Sequence, residues 1–189
     1  MAPKGLTVRP TPDLVRQAVF NSLAGAVADA EVLDLFSGSG ALGLECLSRG
    51  AARVLSVELS SRHARFIRDN VRHLDLPADR HELRVQDAFV ALRQIHASGR
   101  RFDFIFADPP FGPKTGGRAS ESLSQRLVDA PETGQVLRPG GRLVLGHARR
   151  DEVRVPASAW VEHRVMTHGD SVFRFLEPVV ARGAQDPSG

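Results

Sequence analysis

An acidic residue, two prolines and an aromatic ring stand together at Asp108-Pro109-Pro110-Phe111, directly after an apolar run. A carboxylate and a proline carbonyl held side by side can accept hydrogen bonds from both N–H groups of an amine on a nucleic-acid base. The lone pair of the nitrogen then points away from the two acceptors. The prolines fix φ at about −65° and carry no competing N–H donor, and Phe111 can stack on a flat base. The segment therefore predicts a clamp for a base amine, with a simple proline turn as the alternative.

A glycine-rich loop lies upstream, in the stretch VLDLFSGSGALGLE. Gly38, Gly40 and Gly43 form G-x-G-x-x-G where a predicted strand turns into a helix, so the backbone and the free N–H groups of the helix can approach a ligand closely. Glu58 ends the next predicted strand, and its carboxylate can accept both hydroxyls of a ribose. These features predict a cofactor that contains a nucleoside, namely NAD, FAD or S-adenosylmethionine.

Two further carboxylates refine this prediction. Asp34 lies inside the strand before the loop, where it would repel a pyrophosphate but accept hydrogen bonds from an ammonium group. S-adenosylmethionine carries a sulfonium and an amino-acid end and no phosphate, so Asp34 favours it over the dinucleotides. Asp87 follows a later strand, and its side chain can contact the adenine amino group, cap the next helix, or do both.

The elements that must position these residues alternate between strand and helix. A helix is predicted over residues 14–25, another over Leu123–Gln135 and a hairpin about Gly169-Asp170, with five strands over residues 31–36, 53–58, 82–86, 102–107 and 141–147. This order predicts an α/β protein whose parallel sheet is covered on both faces. With the hairpin it indicates a Rossmann-like S-adenosylmethionine-dependent methyltransferase fold, a mostly parallel seven-stranded sheet with one antiparallel strand near the C-terminus.

Ligands bind such sheets at the carboxyl ends of the strands, where the strand order reverses. The motif at Asp108 and the glycine loop should therefore face one crevice. We expect an N-terminal arm and helix over residues 1–28, the Rossmann-like domain over residues 29–178 and a polar, disordered tail over residues 179–189.

The composition excludes several classes of protein. No stretch approaches the roughly 20 apolar residues that cross a bilayer, and the N-terminus lacks the apolar segment of a secretory signal. The single cysteine, Cys46, allows no internal disulfide. The seven histidines lack metal-ligand spacing. We therefore expect a cytoplasmic protein with no membrane partner and no metal.

Arginine supplies almost all of the positive charge, because Lys4 and Lys114 are the only lysines. Arginine suits phosphate and guanine recognition, but GC-rich codon usage gives the same bias. Four arginines recur at near-helical spacing, and they form either a solvated helix face or a set of phosphate contacts: Arg62, Arg65, Arg68 and Arg72. Lys114 and Arg118 lie in a glycine-rich loop that could close over a flipped nucleotide.

Four stretches together resemble the bacterial RsmD-like family: RPTPDLVRQAVFNSL, LDLFSGSGALGLECLSRGA, DPPF and HGDSVFRF. DPPF by itself matches the [DNS]-P-P-[FYW] signature of amino-group methyltransferases that act on adenine, cytosine or guanine. The resemblance covers Arg9 to Leu176, and it implies methylation of the exocyclic N2 of a guanine in 16S ribosomal RNA. The implied partner is ribosomal RNA or a small-subunit assembly particle.

The resemblance also implies roles for individual residues. The guanine clamp comprises Asp108, Pro109, Pro110 and Phe111. Residues implied at the RNA-binding mouth are Arg9, Thr11 and Arg16, beside Lys114 and Arg118. Those implied to hold S-adenosylmethionine are Asp34, Phe36, Gly38, Ser39, Gly40, Glu58, Asp87, Ala88 and Asp108.

The sequence departs from the family pattern in two places. Only eight residues precede Arg9, whereas the family usually begins with a basic β-hairpin, so RNA docking through that hairpin is not expected. The usual Glu-His pair of the fifth strand reads Gly146-His147, which removes a contact of the glutamate and leaves a histidine that we interpret as structural.

Three alternatives stay open at this point. A DNA or RNA adenine-N6 or cytosine-N4 methyltransferase would share DPPF, and only the flanking resemblance argues against it. A nicotinamide oxidoreductase would share the glycine loop and Glu58 but would leave Asp34 and DPPF without a role. A non-catalytic RNA-binding assembly factor would fit the short N-terminus, although the intact Asp108 argues against it.

Overall fold

Seven strands form one sheet in the order β3-β2-β1-β4-β5-β7-β6. The structure is a computed structural model and describes residues 13–110 and 122–179. The strands are β1 Glu31–Leu35, β2 Arg53–Glu58, β3 His81–Val85, β4 Phe102–Ala107, β5 Leu137–Ala148, β6 Trp160–His168 and β7 Ser171–Pro178. The helices are α1 Asp13–Ser22, α2 Ala41–Ser48, α3 Ser61–His73, α4 Ala88–Ala97, α5 Leu123–Asp129 and α6 Pro131–Gln135, with a 3-10 turn at Ala78–Arg80.

The central strands are buried along almost their whole length because the sheet is covered on both faces. Strands β1, β2 and β4 have almost continuous buried runs, which is typical of parallel strands between two helical layers. Helices α1, α2 and α3 cover one face, and α4 and α5 cover the other. The β1 and β4 strands pair in parallel, so their carboxyl ends open at the same edge of the sheet.

Strand β7 runs antiparallel to both of its neighbours, β5 and β6. The two-residue turn at Gly169-Asp170 joins β6 to β7, and the positive φ of Gly169, 57°, suits such a turn. Since β6 is antiparallel to β7, it points the same way as the five other strands. The predicted fold class, a mostly parallel seven-stranded sheet with one antiparallel strand near the C-terminus, is confirmed.

Three predicted elements differ from the structure by more than one residue. Helix α1 ends at Ser22 because Ala24 and Gly25 both adopt positive φ, 45° and 82°, which a right-handed helix does not allow. The helix predicted over residues 123–135 is two helices, since Ala130 is extended before Pro131. Strand β5 begins at Leu137 rather than residue 141, because the Pro139-Gly140 segment is an irregularity within the strand.

Helix α1 is part of the main core. Its buried side chains include Val15, Val19 and Phe20, and the Phe20 ring stacks on that of Phe106 in β4 with centroids 5.5 Å apart. The predicted division at residue 28 stays a prediction, and the predicted tail lies outside the described residues from position 180 onward. In the two described ranges, no helix is long and apolar enough to cross a membrane.

Replacing Phe20 with alanine should therefore lower the free energy of unfolding by about 3–5 kcal/mol, because the change leaves a cavity between α1 and β4. Urea denaturation followed by circular dichroism measures this. Leu14→Ala, on the same helix but 76% exposed, serves as the control and should cost no more than about 0.5 kcal/mol. Equal losses in the two variants would contradict the packing described for α1.

Candidate active site

A crevice of about 500 Å³ opens at the carboxyl ends of β1, β2 and β4. The glycine loop forms one wall, and the segment after β4 forms the other. Both motifs singled out in the sequence therefore meet in one site. The described lining residues are Phe36, Gly38, Val57, Glu58, Leu59, Ser60, His63, Gln86, Asp87, Ala88, Asp108, Pro109, Pro110 and Leu123.

The loop between β1 and α2 has a backbone conformation that favours glycine. Gly38 and Gly40 have φ of 56° and 81°. A Cβ on Gly40 would also lie 3.1 Å from the side chain of Ile67, so α3 packs directly on the loop. Phe36 adopts φ 58° without being glycine, and such strain is concentrated at functional sites. Its ring lines the crevice and meets Phe89 edge-on, with centroids 6.0 Å apart.

Glu58 joins the loop to the second strand through hydrogen bonds from two backbone N–H groups. Its Oε2 accepts from the Gly38 N–H at 2.7 Å, and its Oε1 accepts from the Ser60 N–H at 2.8 Å. His63 Nδ1 lies 3.3 Å from Oε1. A carboxylate has about four acceptor positions, so Glu58 retains capacity for the hydroxyls of a ribose in the crevice.

Asp34 lies directly beneath the loop and is 1% exposed. Its Oδ2 accepts a hydrogen bond from the Gly43 N–H at 3.2 Å. Burial raises the pKa of Asp34 to about 7, and the nearby charges of Glu58 and Asp108 add to this rise. A Cβ on Gly43 would come within 2.8 Å of Oδ2, so the third glycine of the motif makes room for this carboxylate.

Asp87 caps α4, which is one of the two roles predicted for it. Its Oδ1 accepts hydrogen bonds from the N–H groups of Phe89 and Val90, each at 3.0 Å. The residue also lines the crevice beside Gln86 and Ala88. The other carboxylate oxygen of Asp87, Oδ2, could make the predicted contact with the adenine amino group. That contact stays a prediction.

Asp108, Pro109 and Pro110 line the opposite wall, at the end of β4. The carboxylate of Asp108 lies against Gly146 of β5, in contact with the position that a Cβ there would occupy. The absence of a side chain at Gly146 therefore leaves space for Asp108. The fourth member of the motif, Phe111, lies outside the described residues.

Other predicted residues lie away from the crevice or beyond the described ranges. Arg16 on α1 forms an ion pair with Glu45 of α2 at 3.7 Å and does not line the crevice. Ser39 supports the loop by accepting a hydrogen bond from Asn70 Nδ2 at 3.2 Å. The remaining predicted RNA-binding residues, and the short segment expected before Arg9, lie outside the described residues: Arg9, Thr11, Lys114 and Arg118.

Sequence reasoning missed several lining residues that follow Glu58 closely. Leu59 is 70% exposed although it is apolar, and Ser60 caps α3 by accepting from the His63 N–H. His63 turns back to the crevice because it occupies the first turn of α3. Their positions one, two and five residues after the ribose-type carboxylate were the available signal. Leu123, at the start of α5, has no comparable signal.

His147 has the structural role that was expected. It is 3% exposed, its Nδ1 donates to the carbonyl of Ala148 at 2.8 Å, and its Nε2 accepts from Arg174 Nε at 3.0 Å. Burial lowers the pKa of His147, and accepting from an arginine requires the neutral ring. The histidine thus links β5 to β7.

The charge of the crevice indicates which cofactor the crevice can hold. Its described lining carries three carboxylates and no arginine or lysine, and Asp34 lies behind it. A pyrophosphate would be repelled by these groups. A cationic, phosphate-free adenosine derivative fits them, because sulfonium and ammonium groups are attracted to carboxylates. The donor set therefore suits S-adenosylmethionine better than NAD or FAD.

The fold and this crevice define the class of Rossmann-like S-adenosylmethionine-dependent methyltransferases. Within that class the chain belongs to the RsmD-like family, as the sequence predicted: the family model described as "Conserved hypothetical protein 95" matches residues 1–177. The predicted cofactor, S-adenosylmethionine, is the methyl donor of this class.

Individual relatives cover most of the chain. This chain is 38% identical over 170 residues to "Ribosomal RNA small subunit methyltransferase D" of Haemophilus influenzae. The match covers 90% of this chain and 83% of that protein. The structure of the Escherichia coli protein yhhF matches with a TM-score of 0.71 at 30% identity, covering 94% of this chain and 90% of that one. An RNA methyltransferase from Salinibacter ruber, solved with S-adenosylhomocysteine, shares the fold with a TM-score of 0.65 at 19% identity, covering 96% of this chain and 100% of that one.

The raised pKa of Asp34 predicts a pH-dependent stability. Between its unfolded value of 3.8 and about 7, the folded chain keeps a proton that the unfolded chain releases, so rising pH favours unfolding. Asp34→Asn removes this dependence. The difference in the free energy of unfolding, variant minus wild type, should therefore increase between pH 5 and pH 8 by an amount on the order of 2–4 kcal/mol.

Urea denaturation of both proteins at several pH values measures this difference. The exposed Asp79 gives the control: for Asp79→Asn the difference from wild type should stay constant between pH 5 and pH 8. A constant difference for Asp34→Asn as well would show that the Asp34 carboxylate is ionised in the folded protein throughout this range.

Proposed function

We propose that this protein transfers a methyl group from S-adenosylmethionine to the exocyclic N2 of a guanine in 16S ribosomal RNA. The observation that carries the proposal is the position of Asp108-Pro109 across one crevice from Glu58 and the glycine loop. Membership of a family that includes a small-subunit rRNA methyltransferase supports ribosomal RNA as the substrate. The reaction would then take place in the cytoplasm, where the small subunit is assembled.

The residues proposed to hold the cofactor divide its parts among them. The carboxylate of Glu58 takes the ribose hydroxyls, and Asp87 with Ala88 lies at the adenine. The backbone of Gly38, Ser39 and Gly40 leaves room for the amino-acid end, whose ammonium group is attracted to Asp34. When bound, S-adenosylmethionine supplies an electrophilic methyl group on a positive sulfur.

The residues after β4 supply the base clamp. The Asp108 carboxylate and the Pro109 carbonyl accept the two N2 hydrogens of guanine, which favours a pyramidal nitrogen with its lone pair directed at the methyl carbon. The new N–C bond would form as the C–S bond breaks, and the electron pair of the C–S bond would stay on sulfur. The proton that the nitrogen then loses passes to Asp108 or to water. Positioning and electrostatics account for the catalysis.

We assign the target as guanine N2, rather than another base amine, because the chain belongs to the RsmD-like family. The clamp would also accept adenine N6 or cytosine N4, since each is a planar exocyclic amine with two hydrogens. The residues proposed for the RNA-binding mouth are Arg9, Thr11, Arg16, Lys114 and Arg118, of which Arg16 lies outside the crevice lining. Phe111 is proposed to stack on the target base.

Asp108 should be required for transfer and should add little to the affinity for the cofactor, although the resemblance also implies a place for it among the cofactor-binding residues. Asp108→Ala should lower kcat at least 100-fold, because one of two acceptors is lost, which is the scale of effect for removing one such catalytic hydrogen bond. Asp108→Asn keeps an acceptor oxygen, so it should lose less activity than Asp108→Ala. The Kd for S-adenosylmethionine, measured by calorimetry, should stay within a few fold. Asp79→Ala serves as the control for both quantities. Loss of cofactor binding in the Asp108 variants would show that Asp108 holds the cofactor instead.

The modified nucleoside identifies the substrate directly. The protein is incubated with labelled S-adenosylmethionine and small ribosomal subunits from cells that lack this modification, and digested RNA is then analysed by mass spectrometry. We expect N2-methylguanosine. Methylated adenine or cytosine would overturn the guanine assignment, and binding of NAD without S-adenosylmethionine in parallel calorimetry would overturn the methyltransferase. Cofactor binding with no label in any RNA would favour the assembly factor.

A further inference from the structure

One face of α3 carries a row of arginines, which we call the arginine ridge: Arg62, Arg65, Arg68 and Arg72. At about 100° per residue, these positions fall within about 120° of one another around the helix. All four are exposed, whereas the opposite face buries Ala64, Ile67 and Val71. The ridge therefore projects into solvent along the length of α3.

Three members of the ridge have no counter-charge in the described part of the chain. Arg72 pairs with Asp69 at 2.9 Å, but Arg62, Arg65 and Arg68 form no ion pair or hydrogen bond there. Many other arginines are paired, such as Arg100 with Glu31 and Glu82. Adjacent unpaired positive charges repel one another and attract an anionic partner.

The ridge is held at a fixed position relative to the crevice. Asn70 of α3 donates to the Ser39 carbonyl of the glycine loop, and Ile67 packs against Gly40. Arg62 directly precedes His63, whose ring lines the crevice and contacts Glu58. A molecule bound along the ridge is therefore positioned relative to the bound cofactor.

The crevice itself has the wrong charge for attracting RNA. Its described lining includes Glu58, Asp87 and Asp108 and no arginine or lysine. Phosphates supply most of the non-specific affinity of nucleic acids for proteins, so the cationic contacts must come from the neighbouring surface. The ridge adjoins the crevice through His63 and presents guanidinium groups, which bind phosphate in a bidentate manner.

We propose that the arginine ridge of α3 binds the phosphate backbone of the ribosomal RNA next to the guanine that enters the crevice. This proposal rests on the proposed function. Phosphate contacts of this kind set the position of the RNA and leave base identity to the crevice. The ridge is thus a surface for substrate binding that takes no part in the methyl transfer itself.

The test compares two triple variants with the same change in charge. Arg62→Gln/Arg65→Gln/Arg68→Gln removes the ridge, and Arg53→Gln/Arg80→Gln/Arg93→Gln removes three exposed arginines that form no ion pair in the described structure. Arg53 and Arg80 lie at the amino ends of β2 and β3, opposite the crevice. Binding to 16S rRNA is measured between 50 and 200 mM salt, and steady-state kinetics are measured on undermethylated small subunits.

We expect the ridge variant to raise the KM for subunits at least 10-fold, with kcat and the Kd for S-adenosylmethionine within about three-fold of wild type. Its plot of log K against log salt concentration should be shallower by about 2, since each phosphate contact to single-stranded RNA contributes about 0.7. The control triple should match the wild type. The corresponding Arg→Lys triple should retain most of the salt dependence, which separates lost charge from damage to α3.

Three results would overturn the proposal: equal losses in both triple variants, an unchanged KM and salt dependence in the ridge variant, or a raised KM for subunits with unchanged binding to 16S rRNA. The last result would assign the ridge to a ribosomal protein. Failure of the proposed function looks different, because the wild-type protein would then not methylate ribosomal RNA.

Discussion

The carboxylate of Glu58 joins the glycine loop to the start of α3, because it accepts a hydrogen bond from a backbone N–H of each. One oxygen binds the Gly38 N–H of the loop after β1, and the other binds the Ser60 N–H that precedes α3. These hydrogen bonds are charge-assisted and therefore stronger than neutral ones. They fix the glycine loop, the second strand and α3 relative to one another before any ligand binds. The proposed ribose site and the arginine ridge consequently share one support.

The charges of the site divide into two zones with different purposes. Carboxylates concentrate at the crevice and beneath it, where burial raises the pKa of Asp34. Outside the crevice, on the solvent face of α3, lie arginines that form no ion pair with any residue that the structure describes. A cationic cofactor and an anionic nucleic acid are attracted to different zones, so neither competes with the other. In the proposed reaction, only the neutral base of the RNA has to enter the acidic crevice.

Glycines contribute space as well as flexibility at two positions. A side chain at Gly43 would displace the Asp34 carboxylate, and one at Gly146 would displace that of Asp108. The family departure at Gly146 is thus more than a lost glutamate. It gives Asp108 a place to lie against β5, and this effect becomes visible only once β4 and β5 are paired.

The sequence by itself determined the fold class, the glycine loop and the pairing of that loop with the Asp108 motif. Apolar runs alternate with amphipathic helices, and parallel strands bring their carboxyl ends to one edge, so Gly38 and Asp108 must meet. The tertiary structure decided what depends on side-chain direction. It placed Arg16 in an ion pair with Glu45 and brought His63 into the crevice. Within residues 13–110 and 122–179, it left Arg62, Arg65 and Arg68 without an ion pair. Local sequence cannot specify these contacts, because each depends on how separate elements pack against one another.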